Sequence, residues 1–161
     1  MRLAGRLVEG GHAVRLALAG PRIGRVEALE AAPERWLAPG LLDIQVNGYG
    51  GHDANAPDVS PETIARLVRA LWRRGVTALC PTVVTQAEGR ICRSLAAIAA
   101  ACAADPLVAR AIPRIHVEGP HISPEDGPRG AHPLEHVRPP DLATSSSRVP
   151  ISNPFSASRR I

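Results

Sequence analysis

The sequence contains no lysine; all 19 of its basic residues are arginine. It has one tyrosine, one phenylalanine and two tryptophans, so aromatics make up only 2% of the chain. A core cannot then rest on large rings and must be assembled from alanine, leucine, valine and isoleucine. Together with abundant Ala, Gly and Pro, the all-arginine usage points to a GC-rich coding sequence rather than a chemical requirement. Cysteine is scarce too. Cys80, Cys92 and Cys102 are odd in number and lack C-x-x-C spacing, which argues against a disulfide framework and for reduced thiols used as small apolar side chains. Long apolar runs are missing. "LAAIAAACAA" (95–104) is about half a membrane span, and "MRLAGRLVEGG" lacks the apolar stretch of a signal peptide. A cytoplasmic location with no membrane partner is the expectation.

Acidic residues are absent from 144–161, which carries Arg148, Arg159 and Arg160. The rest of the chain holds 16 arginines against 15 acids, so the formal charge of +4 is not spread over a basic face. Arg66, Arg69, Arg73 and Arg74 form the one basic cluster on an expected folded element. A helix C-terminus, where cations suit the dipole, explains them, and no nucleic-acid partner is expected.

What is present is ordinary for a globular domain: 161 residues, 45% hydrophobic and 21% charged, enough for a real core. Residues 1–38 read as short strands, "RLAGRLV", "AVRLALA" and "RVEALE", separated by Gly10-Gly11 and Gly20-Pro21. Ser60, Pro61 and Glu62 then form a helix start, followed by Ile64, Leu67, Val68 and Leu71 on one face and Gly75 as its stop. "VTALCPTVV" (76–84) is a β-rich run. Thr85 and Glu88 suggest a capping box for a second helix lined by Ile91, Leu95, Ile98 and Cys102 and ended by Asp105-Pro106. "IPRIHVEGP" (112–120) is the third strand. The order β-α-β-α-β with apolar strands predicts an α/β fold with a parallel sheet covered by helices. From Thr144 the composition changes: six of the nine serines lie in 144–161, without helical or strand periodicity, and disorder is expected there.

The stretch "LAPGLLDIQVNGYGGHD" (37–53) is read as a strand whose Leu42, Ile44 and Val46 are buried while Asp43, Gln45 and Asn47 share the other face, running into a glycine-rich loop. In parallel α/β architectures, functional groups gather at the C-terminal strand ends. Here those ends carry Gln45 and Asn47, then Cys80 to Thr82, then His116, Glu118 and His121. Glu118 is the sharpest candidate, a carboxylate at the end of an apolar strand that needs either a divalent cation or an arginine. His116, deeper on the same face, reads as a hydrogen-bonded core histidine. Gln45 and Asn47 are poor ligands for zinc or iron. They either orient a polar substrate or close the sheet mouth with a polar network. The glycines of "NGYGG" admit a phosphate or merely a tight turn, and there is no P-loop or dinucleotide fingerprint.

Three segments, "LAPGLLDIQVNGYGG", "GVTALCPTVVT" and "RIHVEGPHISPEDGPRGAHP", occur in order over about residues 36–141. They resemble the N-acetylglucosamine-6-phosphate deacetylases of the amidohydrolase superfamily. The resemblance implies a partial (β/α)8 TIM-like barrel, its first three βα units, preceded by part of a small β-sandwich. The domains would be 1–38, 39–143 and a tail, 144–161, expected to be out of frame or truncated. It implies metal-dependent removal of acetate from an N-acetylated amino-sugar phosphate, giving glucosamine 6-phosphate. One divalent metal ion, zinc or iron, would be held by Glu118, because Gln45-Val46-Asn47 stands where many relatives have His-x-His. Ala131, His132, Gln45 and Asn47 would lie at the substrate, His132 on the sugar or its phosphate, unless His132 is only a surface loop residue. The remaining metal ligands and the general acid/base aspartate come from later strands, so no catalytic residue is expected within these residues. A whole barrel of this kind takes roughly 250 residues. The expected partner is an amino-sugar phosphate, and homodimerisation is compatible with the full-length relative. The competing readings are a non-catalytic remnant of an interrupted gene and another amidohydrolase acting on a cyclic amide.

Overall fold

The computed structural model of the chain describes residues 1–140. The expectations for 144–161 lie outside the described residues. The chain divides into two compact units at Gly40/Leu41.

The first unit, Met1–Gly40, is one four-stranded sheet built from β1 (Arg2–Leu7), β2 (Ala13–Ala19), β3 (Arg22–Ala28) and β4 (Trp36–Leu37). Its order is β3-β2-β1-β4. The first three strands are antiparallel, with Leu3 opposite Leu16, and β4 runs parallel to β1. The predicted partial sandwich is thus a single sheet here. Within the unit it has no second layer among the described residues, and Val14 is its only fully buried large apolar side chain.

The second unit opens with β5 (Leu41–Val46) and a tight hairpin of β6 (Gly48–Tyr49) and β7 (His52–Asp53). Helix α1 (Pro61–Trp72) and β8 (Val76–Val84) follow, then α2 (Glu88–Ala104), α3 (Pro106–Ala111), β9 (His116–Glu118) and a 3-10 turn at Leu134–His136. Strands β5, β8 and β9 form a parallel sheet with β8 in the middle. This is the expected β-α-β-α-β order. No closed barrel forms among the described residues, where β9 is followed by a long loop with a 3-10 turn and no α-helix.

Helix α1 starts as the sequence predicts. Ser60 is the N-cap, its hydroxyl accepting from the Thr63 amide at 3.2 Å, and Pro61 occupies the first turn. Gly75, at φ +83°, supplies the left-handed turn that ends the segment. The apolar stripe Ile64, Leu67, Val68 and Leu71 is buried against Leu79 and Val83 of β8 and Ile98, Val108 and Ile112. Burying one such side chain contributes roughly 1.5–3 kcal/mol, so this stripe holds the first crossover to the sheet.

Three expectations need correction. Leu42 and Ile44 are not buried. They are 59% and 69% exposed because β5 is an edge strand with only β8 beside it, and of the three only Val46 enters the core. Thr85 does not cap α2, whose N-cap is Ala87 with no side-chain bond. The Thr85 hydroxyl instead donates to the Glu118 carbonyl at 3.2 Å. Asp105-Pro106 does end α2, but it also begins α3. Asp105 is the N-cap, accepting from the Leu107 amide at 2.8 Å, and Pro106 sits in the first turn.

Candidate active-site cluster at the strand ends

Parallel pairing sets Thr82 beside His116 and Val84 beside Glu118, so the ends of β8 and β9 finish together. Glu118 points across β8 towards the other edge. Its Oε2 accepts from Gln45 Nε2 on β5 at 3.1 Å, and its Oε1 lies 3.4 Å from His132 Nε2. Three side chains from separate parts of the chain meet at one carboxylate. Glu118 is 31% exposed and His132 19%, so the cluster opens to solvent at the mouth of the sheet. Among the described residues Glu118 is not paired with the arginine that was one expectation for it: its partners are an amide and an imidazole.

The backbone fixes this geometry. Gly119 has φ +82°, a region that favours glycine, and a Cβ at that position would overlap the Thr85 hydroxyl. The chain can therefore turn immediately after Glu118 while Thr85, itself buried, holds the Glu118 carbonyl. Below the cluster, His116 Nδ1 is 3.4 Å from Thr82 Oγ1, which agrees with a histidine bonded to its neighbouring strand. His121 leaves the cluster, its Nδ1 lying 3.2 Å from the Arg138 carbonyl.

The loop that delivers His132 is braced by Arg129, which the sequence reading did not single out. Its Nη1 donates to the His132 carbonyl at 2.7 Å and its Nη2 to Asp126 Oδ1 at 2.9 Å. A lone arginine two residues before "AHP", between Pro128 and Gly130, was the available signal. Ala131 is exposed beside His132. Asn47 is not joined to Gln45 and Glu118. It contributes a backbone carbonyl that accepts from the Ala54 amide at 2.8 Å, fixing the start of the glycine-rich loop. Those glycines close the β6–β7 hairpin, where Tyr49 pairs with His52. Cys80 lies on β8, outside the cluster's contacts, and Cys102 is buried in α2, where desolvation raises its thiol above the ordinary value.

Chemically, the cluster offers one carboxylate and one imidazole that a divalent cation accepts as donors. Gln45 presents its N–H to Glu118, which is the wrong end of an amide for a cation. Among the described residues no group of three or more His, Cys, Asp or Glu side chains is placed to hold a metal ion. The residues therefore fit part of a metal site and not a whole one, since a catalytic zinc takes three protein ligands and a water. No helix among the described residues is long and apolar enough to cross a membrane.

No family model matches the chain. The N-acetylglucosamine-6-phosphate deacetylase of Bacillus subtilis is 33% identical over 116 residues, which are 71% of this chain and 28% of that protein. The crystal structure of the Thermotoga maritima N-acetylglucosamine-6-phosphate deacetylase superposes with a TM-score of 0.76 at 24% identity, over 91% of this chain and 39% of that one. A mutant of the Mycobacterium smegmatis enzyme, solved in complex with N-acetyl-D-glucosamine-6-phosphate, superposes with a TM-score of 0.65 at 30% identity, over 88% and 38%. The chain thus spans between about a quarter and two-fifths of the length of these relatives.

Proposed function

From the premise that this chain is homologous to the N-terminal portion of the N-acetylglucosamine-6-phosphate deacetylases, we propose that it forms the first part of a metal-dependent amide hydrolase. That enzyme cleaves the N-acetyl group of N-acetylglucosamine 6-phosphate to give glucosamine 6-phosphate and acetate, in cytoplasmic amino-sugar catabolism. The observation that carries the reading is the meeting of Gln45, Glu118 and His132 at the ends of parallel strands.

In this reading Glu118 is one ligand of a divalent ion, zinc or iron. When bound, that ion supplies Lewis acidity and lowers the pKa of water. Gln45 orients the Glu118 carboxylate by donating to one of its oxygens, leaving the other towards His132. His132 and Ala131 sit where the loop from β9 meets the site, and His132 carries an N–H suited to a hydroxyl or phosphate oxygen of the sugar. Asn47 shapes the mouth through its backbone. The further metal ligands and the general acid/base aspartate belong to strands beyond these, so the 161 residues by themselves do not turn over substrate.

A chimera tests this. Residues 1–140 are joined to the complementary C-terminal portion of the Bacillus subtilis enzyme, and acetate release from N-acetylglucosamine 6-phosphate is measured beside bound metal. The chimera should release acetate, and Glu118→Gln should lower metal content and rate together. Unchanged metal content in that variant returns Glu118 to a structural role. Chelator-sensitive turnover by the 161-residue chain alone overturns the division of labour.

A further inference from the structure

Strand β8 is paired with β5 only as far as Pro81, which lies opposite Val46. Beyond that point the chain leaves the sheet through Asn47 into the β6–β7 hairpin. The Thr82 carbonyl and the Val84 amide, which face that edge, would be stranded beside a fully buried Thr82 side chain. A buried polar group without a partner is costly. Asn55 meets both groups. Its Nδ2 donates to the Thr82 carbonyl at 2.9 Å and its Oδ1 accepts from the Val84 amide at 3.0 Å. One side-chain amide thus reproduces the donor and acceptor that a neighbouring strand would present.

The opposite edge of the same three residues carries β9, with Val84 beside Glu118. Asn55 and the Glu118 strand therefore grip one segment from its two sides. Asn55 is itself fixed in three further ways. Its amide donates to Asp53 Oδ1 at 2.7 Å, its carbonyl accepts from Arg90 Nη2 at 2.9 Å, and its Oδ1 accepts a second bond from Gln86 Nε2 at 3.3 Å. Asn55 thus ties the mouth loop to the end of β8 through its side chain and to α2 through its main-chain carbonyl.

We propose that Asn55 is a positioning residue for the Glu118 cluster, its amide standing in for a strand at the end of β8 and fixing the register in which Gln45 reaches Glu118. The proposal rests on the reading of Glu118 as the working carboxylate. Asn55 touches none of the three cluster side chains and acts through β8. Both ends of its amide matter. Aspartate keeps the acceptor for Val84 and Gln86 but sets a carboxylate oxygen against the Thr82 carbonyl, and glutamine moves the amide one methylene out of register.

The test uses the 161-residue chain and nitrogen-15 NMR on the wild type, Asn55→Ala, Asn55→Asp and the control Val108→Ala, which empties a fully buried position on α3. The readouts are hydrogen exchange of the Val84 amide, the Gln45 side-chain NH2 resonances and the global urea midpoint. Asn55→Ala should speed Val84 exchange by about tenfold relative to global opening, the equivalent of ~1.4 kcal/mol, and should shift the Gln45 resonances. Val108→Ala should lower the urea midpoint and leave the Gln45 resonances in place. Asn55→Asp keeps the shape of the residue, so it decides the matter if Asn55→Ala does not fold; at neutral pH it should shift the Gln45 resonances as well. Unmoved Gln45 resonances in the folded Asn55 variants, or equal movement in Val108→Ala, overturn the proposal. These readouts are blind to turnover, so a failed deacetylase reading shows separately, in the metal content and acetate release of the chimera.

Discussion

Replacing Gly119 by alanine should damage the chain through one identifiable collision. The left-handed backbone at φ +82° costs a residue with a Cβ about 1–2 kcal/mol. The new methyl also overlaps the Thr85 hydroxyl; its three nearest atoms all belong to Thr85, which is buried. Thr85 must then rotate or shift, which repacks the buried surroundings at about 1–3 kcal/mol and breaks its bond to the Glu118 carbonyl, worth a further ~1 kcal/mol net. The single variant should therefore lose about 3–6 kcal/mol, a large fraction of the stability of an ordinary domain. Thr85→Ala alone should cost about 1 kcal/mol, the lost bond. In the double variant the hydroxyl is gone and the lost bond is counted once. The Thr85 Cβ, 3.2 Å from the added methyl, is all that still crowds it. The double variant should thus fall short of additivity by about 2–3 kcal/mol. Urea unfolding followed by far-ultraviolet circular dichroism measures the cycle. If Gly119→Ala is unfolded outright, recovery of folded signal in Gly119→Ala/Thr85→Ala makes the same point. Strict additivity, or a double variant worse than the sum, would refute the reasoning and leave backbone strain as the only cause.

Other outcomes follow from local features. Ser60→Ala removes the cap of α1 and should cost about 1 kcal/mol in urea unfolding, whereas Ser60→Asp should be close to neutral. The bond from the Leu107 amide, joined by the Arg69 guanidinium, holds the Asp105 carboxyl below the ordinary value of 3.8. Its contribution is therefore complete above that value and lost as pH falls through the lowered one, so Asp105→Asn should flatten the stability profile on the acid side of that ordinary value. Burial raises the Cys102 thiol, so in the folded chain it should resist alkylation at pH 8 and react once urea unfolds the protein, as read by mass spectrometry of the labelled peptides.

Local signals in the sequence were legible where one residue type does one job. Ser60, Pro61 and the Ile64–Leu71 stripe determine α1 with little outside help, and Glu118 at the end of an apolar strand stood out as a carboxylate in need of partners. What those partners are was not legible, because Gln45, Glu118 and His132 are brought together by strand order and loop path. The capping box at Thr85 failed for a related reason: a hydroxyl that could have served its own helix is used by the carbonyl beside a site 33 residues away. The alternation of Leu42, Ile44 and Val46 gave the strand but not its burial, since burial depends on what lies on each side of a strand. The short helix α3 was hidden by reading Asp105-Pro106 only as an ending, although the same pair is a good beginning. Asn55 carried no pattern at all, because its role depends on where β5 stops.

The bond from Gln45 to Glu118 also works as a gauge of the angles between strands. Strands β5 and β9 are not neighbours; β8 lies between them, so their axes are separated by two strand spacings, or about 9.6 Å. In a flat sheet, side chains standing upright on the outer strands would remain about that far apart. They close to 3.1 Å because both side chains are long and lean towards each other over β8. A small change in the angle between neighbouring strands would part the two tips while every backbone ladder stayed intact. The electrostatic environment of the carboxylate is therefore tied to the angles between the strands, and anything that presses on the outer strands reaches the cluster as a change of angle before it reaches it as a broken strand.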